Sequence, residues 1–124
     1  MIFGVGIDHI EVARVAQKLA ATAGLKERLF TPDEIAYCQS QHQGDKNFAA
    51  RFAAKEAFFK ALGTGWRDGM AFTEIEIVHD ELGKPACHVT GKVKNTIDEI
   101  RITAIHVSLT HVKDLAGAVV ILEK

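Results

Sequence analysis

Cysteine, net charge and long apolar runs are all scarce in this sequence. Its two cysteines, Cys38 and Cys87, stand far apart in no metal-binding or redox spacing, so we expect reduced thiols and a cytoplasmic protein. The formal net charge is −1, so no overall field would recruit nucleic acid or an anionic membrane, and any charged partner must bind a local patch. No apolar run approaches the roughly 20 residues that span a bilayer. The apolar start MIFGVGI lacks a basic leader and is followed at once by Asp8, a pattern that does not fit a signal peptide.

Repeats, low-complexity segments and linkers are also lacking, and the remaining composition is that of a small globular protein. With 124 residues, of which 25% are charged and 48% hydrophobic, the chain is expected to form one domain over residues 1–124. A domain of this size buries only about two-thirds of the surface that its unfolded chain exposes. We therefore expect the protein to self-associate.

Periodicity predicts a strand at the start, helices through the rest of the first half, and mostly sheet in the second half. The first strand should be buried and should carry Asp8 at its mouth. Thr31, Pro32 and Glu34 combine a threonine N-cap, a proline at the first helical position and a capping-box glutamate. The predicted strands cover 2–7, 72–79, 86–90, 102–110 and 115–122, and the predicted helices run from 10 to a stop at Gly24, from 32 to about 41, over 48–62 and over 92–100.

The helix predicted over 48–62 is the most informative segment, because it contains no glycine or proline and is followed at once by Gly63. Four of its apolar side chains form one stripe, which is expected to be ordinary core. Lys55 falls inside that stripe, where it would either snorkel to water or face a cleft. Small alanines beside Glu56 and Lys60 are expected to leave room for a ligand. The stripe is Phe48, Phe52, Phe59 and Leu62, and the alanines are Ala49, Ala53 and Ala57.

A carboxylate at a strand end and a Glu-Lys pair one turn apart suit a site for a hard cation and a polyphosphate. Magnesium takes oxygen ligands, often from one or two carboxylates together with substrate phosphates, and Asp8 and Glu56 would supply the carboxylates. Lys60 would offset the remaining phosphate charge, and Gly63 and Gly65 would let backbone amides approach. On spacing alone, however, a Glu-Lys pair is more often a solvated surface pair worth about 0.3–0.5 kcal/mol.

Other motifs give no independent assignment. Gly4-x-Gly6 lacks the third glycine of a dinucleotide fingerprint, and Gly63-Thr64-Gly65 is not a Walker loop, so both could be turns. The six histidines form no set with zinc-ligand spacing, and Ser108 has no partner spacing that would make it a nucleophile. Each histidine is expected to be structural when taken alone.

Taken together, these residues resemble the holo-acyl-carrier-protein synthase family, the small bacterial type of phosphopantetheinyl transferase, over nearly the whole chain. Residues 6–14 resemble the family's G-I-D-x-x-E-x-x-R, and RFAAKEAFFKALGTG at 51–65 resembles its R-F-A-x-K-E-A-x-x-K-A-x-G-T-G. Leu82-Gly83-Lys84-Pro85 and His106-Val107-Ser108 extend the likeness towards the end. Two departures are His9, where an aliphatic residue is usual, and Gly117, which is expected to interrupt the last strand.

The resemblance implies roles for the residues that match the family's motifs. Asp8 and Glu56 are expected to bind magnesium against the diphosphate of coenzyme A, and Lys60 to contact the same phosphates. Four further positions are expected to line the coenzyme pocket, with His106 near the adenosine 3′-phosphate: Arg51, Gly63, Thr64 and His106. Arg14 and Lys18 match the region that receives the acidic helix of the acyl carrier protein, where opposite charge would raise the association rate.

The implied fold is α+β, with a mostly antiparallel sheet, and the implied assembly is a homotrimer with coenzyme A lodged between neighbouring subunits. The implied reaction is attack of a carrier serine hydroxyl on the phosphorus that bears pantetheine, with release of adenosine 3′,5′-bisphosphate for fatty acid biosynthesis. Asp8, Glu56 or a water on the metal would receive the proton. The resemblance does not decide whether the metal is magnesium or manganese. It also leaves open the preferred acyl group on the coenzyme, the range of carrier proteins accepted and the subunit that supplies each residue.

Two rival functions remain compatible with the sequence. A non-catalytic regulator of similar α+β build would bind coenzyme A or a nucleotide without forming product. A structural oligomerisation domain would carry Asp8, Glu56 and Lys60 as surface charges, without ligand binding or magnesium dependence.

Overall fold

The computed structural model of the chain describes residues 1–67 and 69–124. The strands are β1 (Ile2–Glu11), β2 (Ile75–His79), β3 (Pro85–Val89), β4 (Ala104–His111) and β5 (Leu115–Glu123). The helices are α1 (Val12–Ala21), α2 (Leu25–Leu29), α3 (Pro32–Ser40), α4 (Gly44–Leu62) and α5 (Gly91–Ile100), with one 3-10 turn at Phe72–Glu74. No helix among these residues is long and apolar enough to cross a bilayer.

The described residues form two antiparallel sheets beside the helices. One has the strand order β1-β5-β4, and β2 and β3 pair as a hairpin. The core lies where α4 packs against β1 and β5, and its fully buried members include Phe58, Val120 and Leu122. At the open end of the first sheet, the Met1 ammonium donates to the Lys124 carbonyl over 2.9 Å and the Lys124 amide donates to the Met1 carbonyl over 2.8 Å.

The first strand is longer than predicted. β1 continues through Glu11, so Asp8 lies within the strand and pairs with Ala118 rather than standing at the strand's mouth. The reason is tertiary pairing: β5 supplies partners for residues 8–11, including Gly117 opposite His9. The prediction that Gly117 interrupts the last strand is also wrong, because it lies inside β5, where an added Cβ would come within 3.3 Å of the Asp8 carbonyl oxygen.

Small residues bring β1 and α4 into direct backbone contact. A Cβ added at Gly4 or at Gly6 would lie 1.9 Å from a carbonyl oxygen of α4, that of Ala61 or of Ala57 respectively. The alanines predicted to leave room for a ligand are instead completely buried: Ala49, Ala53 and Ala57. Their size, like that of the two glycines, permits close strand-helix packing, so the prediction of ligand space on that face was wrong.

The capping box predicted for α3 is present and does more than begin a helix. The Glu34 amide donates to Thr31 Oγ1 over 3.2 Å, and the Thr31 amide donates to Glu34 Oε1 over 3.0 Å. Glu34 Oε2 also accepts from the Ile77 amide over 3.0 Å, which ties α3 to β2. Lys55 completes the arrangement: it is fully buried and its Nζ lies 2.6 Å from Glu34 Oε1. It therefore neither snorkels to water nor faces a cleft.

Two smaller differences from the predicted elements have local causes. The helix α2 was not predicted, and at 5 residues it is too short for a periodic pattern. The segment predicted as a strand over 72–79 begins with the 3-10 turn, and β2 starts at Ile75. Glu74 stabilises that turn, because its side chain accepts from the Ala71 amide over 3.0 Å and from the Lys92 amide over 2.9 Å.

Candidate functional site

Asp8, Glu56 and Lys60 come together at the junction of β1 and α4. Asp8 lies on the face of β1 that meets α4, and Glu56 and Lys60 follow one another by one turn on the helix. The Lys60 ammonium donates to Asp8 Oδ1 over 2.9 Å and to the Ile7 carbonyl over 3.0 Å. The Asp8 side chain is 19% exposed and that of Lys60 is 53% exposed. The structure therefore forms the predicted cluster at a surface that a ligand can reach.

The electrostatics of this cluster favour an added cation. Partial burial raises the pKa of Glu56 above its usual range, the neighbouring Asp8 carboxylate raises it further, and Lys60 opposes the change. The Asp8 and Glu56 carboxylates are thus close enough to repel one another, and the Lys60 ammonium contacts Asp8. A divalent ion beside the carboxylates would relieve their repulsion.

The donors match a hard divalent ion. Both candidate ligands offer carboxylate oxygens, and magnesium is often held by one or two carboxylates plus substrate phosphates and water. Across residues 1–67 and 69–124, no group of three or more histidine, cysteine, aspartate or glutamate side chains gathers in a metal-binding arrangement. Asp8 and Glu56 fit the ion implied by the sequence.

Two of the residues predicted to bind the coenzyme lie next to this cluster. Gly63 ends α4 with a φ of 84°, and its amide donates to the carbonyls of Phe59 and Lys60. Thr64 follows, and its hydroxyl donates to the Gly65 carbonyl over 2.8 Å. Because Gly63 adopts a left-handed backbone conformation, α4 ends and the chain changes direction three residues after Lys60.

Arg51 lies on the same helix but is only 1% exposed. Its terminal nitrogen lies 3.0 Å from His79 Nδ1, and its guanidinium carbon is 4.4 Å from the centre of the Tyr37 ring. Among residues 1–67 and 69–124, no group accepts a hydrogen bond from the buried Arg51 Nε atom. Burial and the positive charge of Arg51 lower the pKa of His79. Arg51 is thus a buried cation whose Nε has no acceptor in the part of the chain that the structure describes.

His106 lies apart from the Asp8 cluster. It is on β4, and its Nε2 lies 2.5 Å from Glu123 Oε1. It also borders a cavity of about 320 Å³ with Lys84 and Pro85, whose lining contains none of Asp8, Glu56 and Lys60. The sequence pattern Leu82-Gly83-Lys84-Pro85 carried part of the family resemblance, but nothing in it indicated that Lys84 would share a cavity with His106.

The two residues predicted to bind the carrier protein are exposed on α1. Arg14 and Lys18 are one turn apart and border a small apolar cavity with Ile10 and Phe52. Phe52 precedes Glu56 by one turn of α4, so this basic surface adjoins the cluster. The Ile7 carbonyl that accepts from Lys60 was missed in the sequence, because a backbone acceptor has no residue signature.

Known proteins resemble this chain over its full length. Residues 4–120 match the 4′-phosphopantetheinyl transferase superfamily. A holo-[acyl-carrier-protein] synthase of Trichlorobacter lovleyi is 46% identical over 99% of this chain and 98% of its own length. The crystal structure of the Neisseria meningitidis holo-[acyl-carrier-protein] synthase has a TM-score of 0.91 and 34% identity, and covers 100% of both chains. That of the Helicobacter pylori enzyme in complex with coenzyme A has a TM-score of 0.83 and 28% identity, and covers 96% of this chain and 99% of its own.

These likenesses confirm the α+β fold, with its N-terminal strand and antiparallel sheets, and the resemblance stated from the motifs. The chain belongs to the 4′-phosphopantetheinyl transferase superfamily, as a holo-[acyl-carrier-protein] synthase.

Proposed function

We propose that this chain transfers 4′-phosphopantetheine from coenzyme A to a serine hydroxyl of an apo-acyl carrier protein, using a divalent ion held by Asp8 and Glu56. The observation that carries the proposal is the meeting of those two carboxylates and Lys60 at the β1–α4 junction. Full-length relatives at 42–46% identity that are holo-[acyl-carrier-protein] synthases support the same reaction.

In this reaction the serine oxygen attacks the phosphorus that bears pantetheine, a new P–O bond forms, and the P–O bond to adenosine 3′,5′-bisphosphate breaks. When bound, magnesium or manganese neutralises diphosphate charge. Lys60 holds an exposed ammonium at the same place, fixed by Asp8 and the Ile7 carbonyl. The serine proton needs an acceptor, and the chain brings the carboxylates of Asp8 and Glu56 to that point. Positioning and charge stabilisation supply most of the catalysis.

The coenzyme would extend from this cluster along the loop after α4 and towards His106. Gly63 and Thr64 follow the phosphate site directly, and the buried Arg51 Nε has no acceptor among the described residues. His106 borders a separate cavity of the chain, which suits an adenosine 3′-phosphate held by a neighbouring subunit.

A homotrimer with its sites between subunits would allow two neighbouring subunits to hold one coenzyme A molecule. The outer face of β1 presents Phe3, Val5 and Ile7, which are 40%, 56% and 68% exposed. Burying such an apolar sheet face in an assembly is favourable. Activity on coenzyme A and on the acyl carrier protein of fatty acid biosynthesis would place the protein in the cytoplasm.

The carrier protein would dock on α1. Arg14 and Lys18 present two exposed positive charges one turn apart, beside the catalytic cluster, and an acidic helix would complement them. The reversal Arg14→Asp should therefore raise the KM for the carrier and leave the KM for coenzyme A unchanged. Lys94→Asp, an exposed lysine on α5, serves as the matched reversal.

The test is to incubate the protein with coenzyme A, magnesium and apo-carrier, and to measure the mass of the carrier. We expect an added phosphopantetheine that requires the divalent ion. Glu56→Gln should reduce kcat at least ~100-fold by removing one ligand, whereas Glu99→Gln on the exposed face of α5 should not. Binding of coenzyme A without product would support the regulator, and absence of both binding and metal dependence would support the oligomerisation domain.

A further inference from the structure

His106 and Glu123 form a side-chain pair on neighbouring strands, and none of the roles assigned so far involves the glutamate. Glu123 lies opposite Ala104 in the register of β4 and β5, two residues before His106 on β4. The side chains of His106 and Glu123 therefore point to the same face of the sheet. His106 Nε2 is 2.5 Å from Glu123 Oε1, and the two side chains are 56% and 40% exposed. A ligand can therefore reach the pair.

The backbone that carries Glu123 is fixed on both sides. β5 is the middle strand of its sheet, and Glu123 pairs with Ile2 of β1 and with Ala104 of β4. The Thr103 amide also donates to the Glu123 carbonyl over 2.7 Å. A side chain on such a strand is placed more precisely than one on a loop. The Glu123 carboxylate can therefore set the orientation of the His106 ring.

This contact decides which nitrogen of the imidazole is available to a ligand. An ionised carboxylate can only accept hydrogen bonds, so the contact requires a proton on His106 Nε2. The hydrogen bond at one ring nitrogen sets the role of the other. Nδ1 is then left for a ligand, and it donates when the ring carries a proton on both nitrogens. Held in this way, His106 can bind an oxyanion as an imidazolium that is paired with Glu123.

The His106 ring borders the cavity of about 320 Å³ that Lys84 also lines. A carboxylate beside a phosphate site would repel the ligand, so the acidic residues near this cavity need a separate reason to be there. Asp80, which also lines the cavity, accepts at Oδ1 from the Leu82 and Lys84 amides over 2.9 and 2.8 Å. Glu123 Oε1 contacts His106. Each carboxylate thus fixes a part of the cavity wall, the hairpin turn or the ring.

We propose that Glu123 is a positioning residue for coenzyme A, which holds His106 through Nε2 so that Nδ1–H is presented to the adenosine 3′-phosphate. The inference rests on the proposed function, in which His106 lies near that phosphate. Glu123 itself does not touch the ligand. Without Glu123 the ring could rotate or present an unprotonated nitrogen, and a phosphate dianion has no hydrogen to donate to that nitrogen. The pair therefore makes the enzyme prefer coenzyme A to its 3′-dephospho form.

The experiment measures transfer from coenzyme A and from 3′-dephospho-coenzyme A to one apo-carrier, by mass spectrometry of the product. We expect the wild type to have the lower KM for coenzyme A. Glu123→Ala should raise the KM for coenzyme A about tenfold, and should leave both kcat and the KM for the dephospho form within about twofold. The same substitution in a His106→Ala protein should have no further effect, because the two residues act as one unit. Glu99→Ala, at an exposed side chain of α5, is the control.

Two conservative variants separate the position of the side chain from its charge. Glu123→Gln keeps an oxygen within reach of Nε2 but is neutral, and should raise the KM for coenzyme A less than about threefold. Glu123→Asp keeps the charge on a side chain that is one methylene shorter, and should raise this KM nearly as much as Glu123→Ala. The reverse order would show that charge alone matters, and would overturn the positioning role.

Equal rises in KM for both donors would also overturn the positioning role while leaving the transferase function intact, as would additive effects of Glu123→Ala and His106→Ala. The same conclusion would follow if the wild type had the same KM for both donors. Failure of the wild type to transfer from either donor would instead overturn the proposed function, and the role of Glu123 with it. A thermal unfolding curve for each variant checks that the fold persists, and Glu123→Gln and Glu123→Asp still decide the question if Glu123→Ala does not fold.

Discussion

Replacing Lys55 by methionine should destabilise the protein severely, because its ammonium is the centre of a buried polar network. Burial lowers the pKa of Lys55, and Glu34 opposes the change. The Lys55 and Glu34 side chains are both 0% exposed, with Nζ and Oε1 2.6 Å apart. Nζ makes two more hydrogen bonds, to the carbonyls of Leu29 and Phe72. Methionine fills a similar volume but can make none of these contacts.

The magnitude follows from what is left behind. Removing one partner of a buried ion pair costs about 3–5 kcal/mol, because the other charge stays buried without compensation. Two carbonyl acceptors lose their donor as well, although Glu34 keeps its bonds from the Thr31 and Ile77 amides. A small domain has a free energy of unfolding of about 5–15 kcal/mol, so Lys55→Met should remove a large part of it.

Urea unfolding at pH 7 measures this cost, provided the slope with denaturant stays constant. The double variant Lys55→Met with Glu34→Gln removes the orphaned charge and should recover about 1–3 kcal/mol relative to the single variant. Lys94→Met is the matched control, since Lys94 and Asp98 are 2.7 Å apart but 50% and 54% exposed. Such a surface pair contributes less than about 1 kcal/mol.

The reasoning would be refuted by a Lys55→Met cost similar to that of Lys94→Met. It would also fail if Glu34→Gln made the Lys55→Met protein less stable still, since the isolated carboxylate would then not be the source of the cost.

Three further predictions concern the β1–α4 contact, the carboxylate pair and the thiols. Gly6→Ala should lower the free energy of unfolding, measured with urea, by about 1–3 kcal/mol and should also lower kcat. The reason is that the new Cβ would lie 1.9 Å from the Ala57 carbonyl oxygen and push Asp8 away from α4. An unchanged unfolding midpoint would contradict the contact. In the absence of divalent ions, Glu56→Gln should raise the melting temperature at pH 7 but not below about pH 4. The pKa of Glu56 is raised in the folded state, so ionisation of Glu56 destabilises the protein as pH rises. A gain in melting temperature that is independent of pH would argue against this. Cys38 is completely buried and burial raises its pKa to about 11, so a thiol reagent at pH 8 should label this residue only as fast as the protein unfolds, and immediate labelling would show an accessible thiolate.

Local signals in the sequence predicted those elements whose ends are set by neighbouring residues. The α3 capping box is made by Thr31 and Glu34, three positions apart, and Gly63 ends α4 through its own backbone conformation. The candidate site was predictable for a similar reason. Glu56 and Lys60 are joined by the helix itself, and the family resemblance added Asp8 from the other end of the fold.

Features that depend on distant partners could not be predicted in this way. The continuation of β1 past Asp8 requires β5, more than a hundred residues later. The alanine face of α4 was predicted to leave room for a ligand because the strand that covers it, β1 with its glycines, belongs to another element of the fold. The position of Lys55 within an apolar stripe did indicate an unusual environment. Its partner Glu34 had already been assigned to the capping box, so the ion pair that the same carboxylate forms with Lys55 was not predicted.

Because Met1 and Lys124 are hydrogen-bonded to each other, the order of the elements along this chain could be changed by circular permutation. A short flexible linker could join these two residues, and new ends could be cut in the exposed connection at residues 41–43, where circular permutation is generally tolerated. The permuted protein would begin at α4, so the segment carrying Glu56 and Lys60 would be made first and the strand carrying Asp8 would follow β5 in a continuous hairpin. Its activity would report whether order of synthesis matters to assembly of the catalytic cluster.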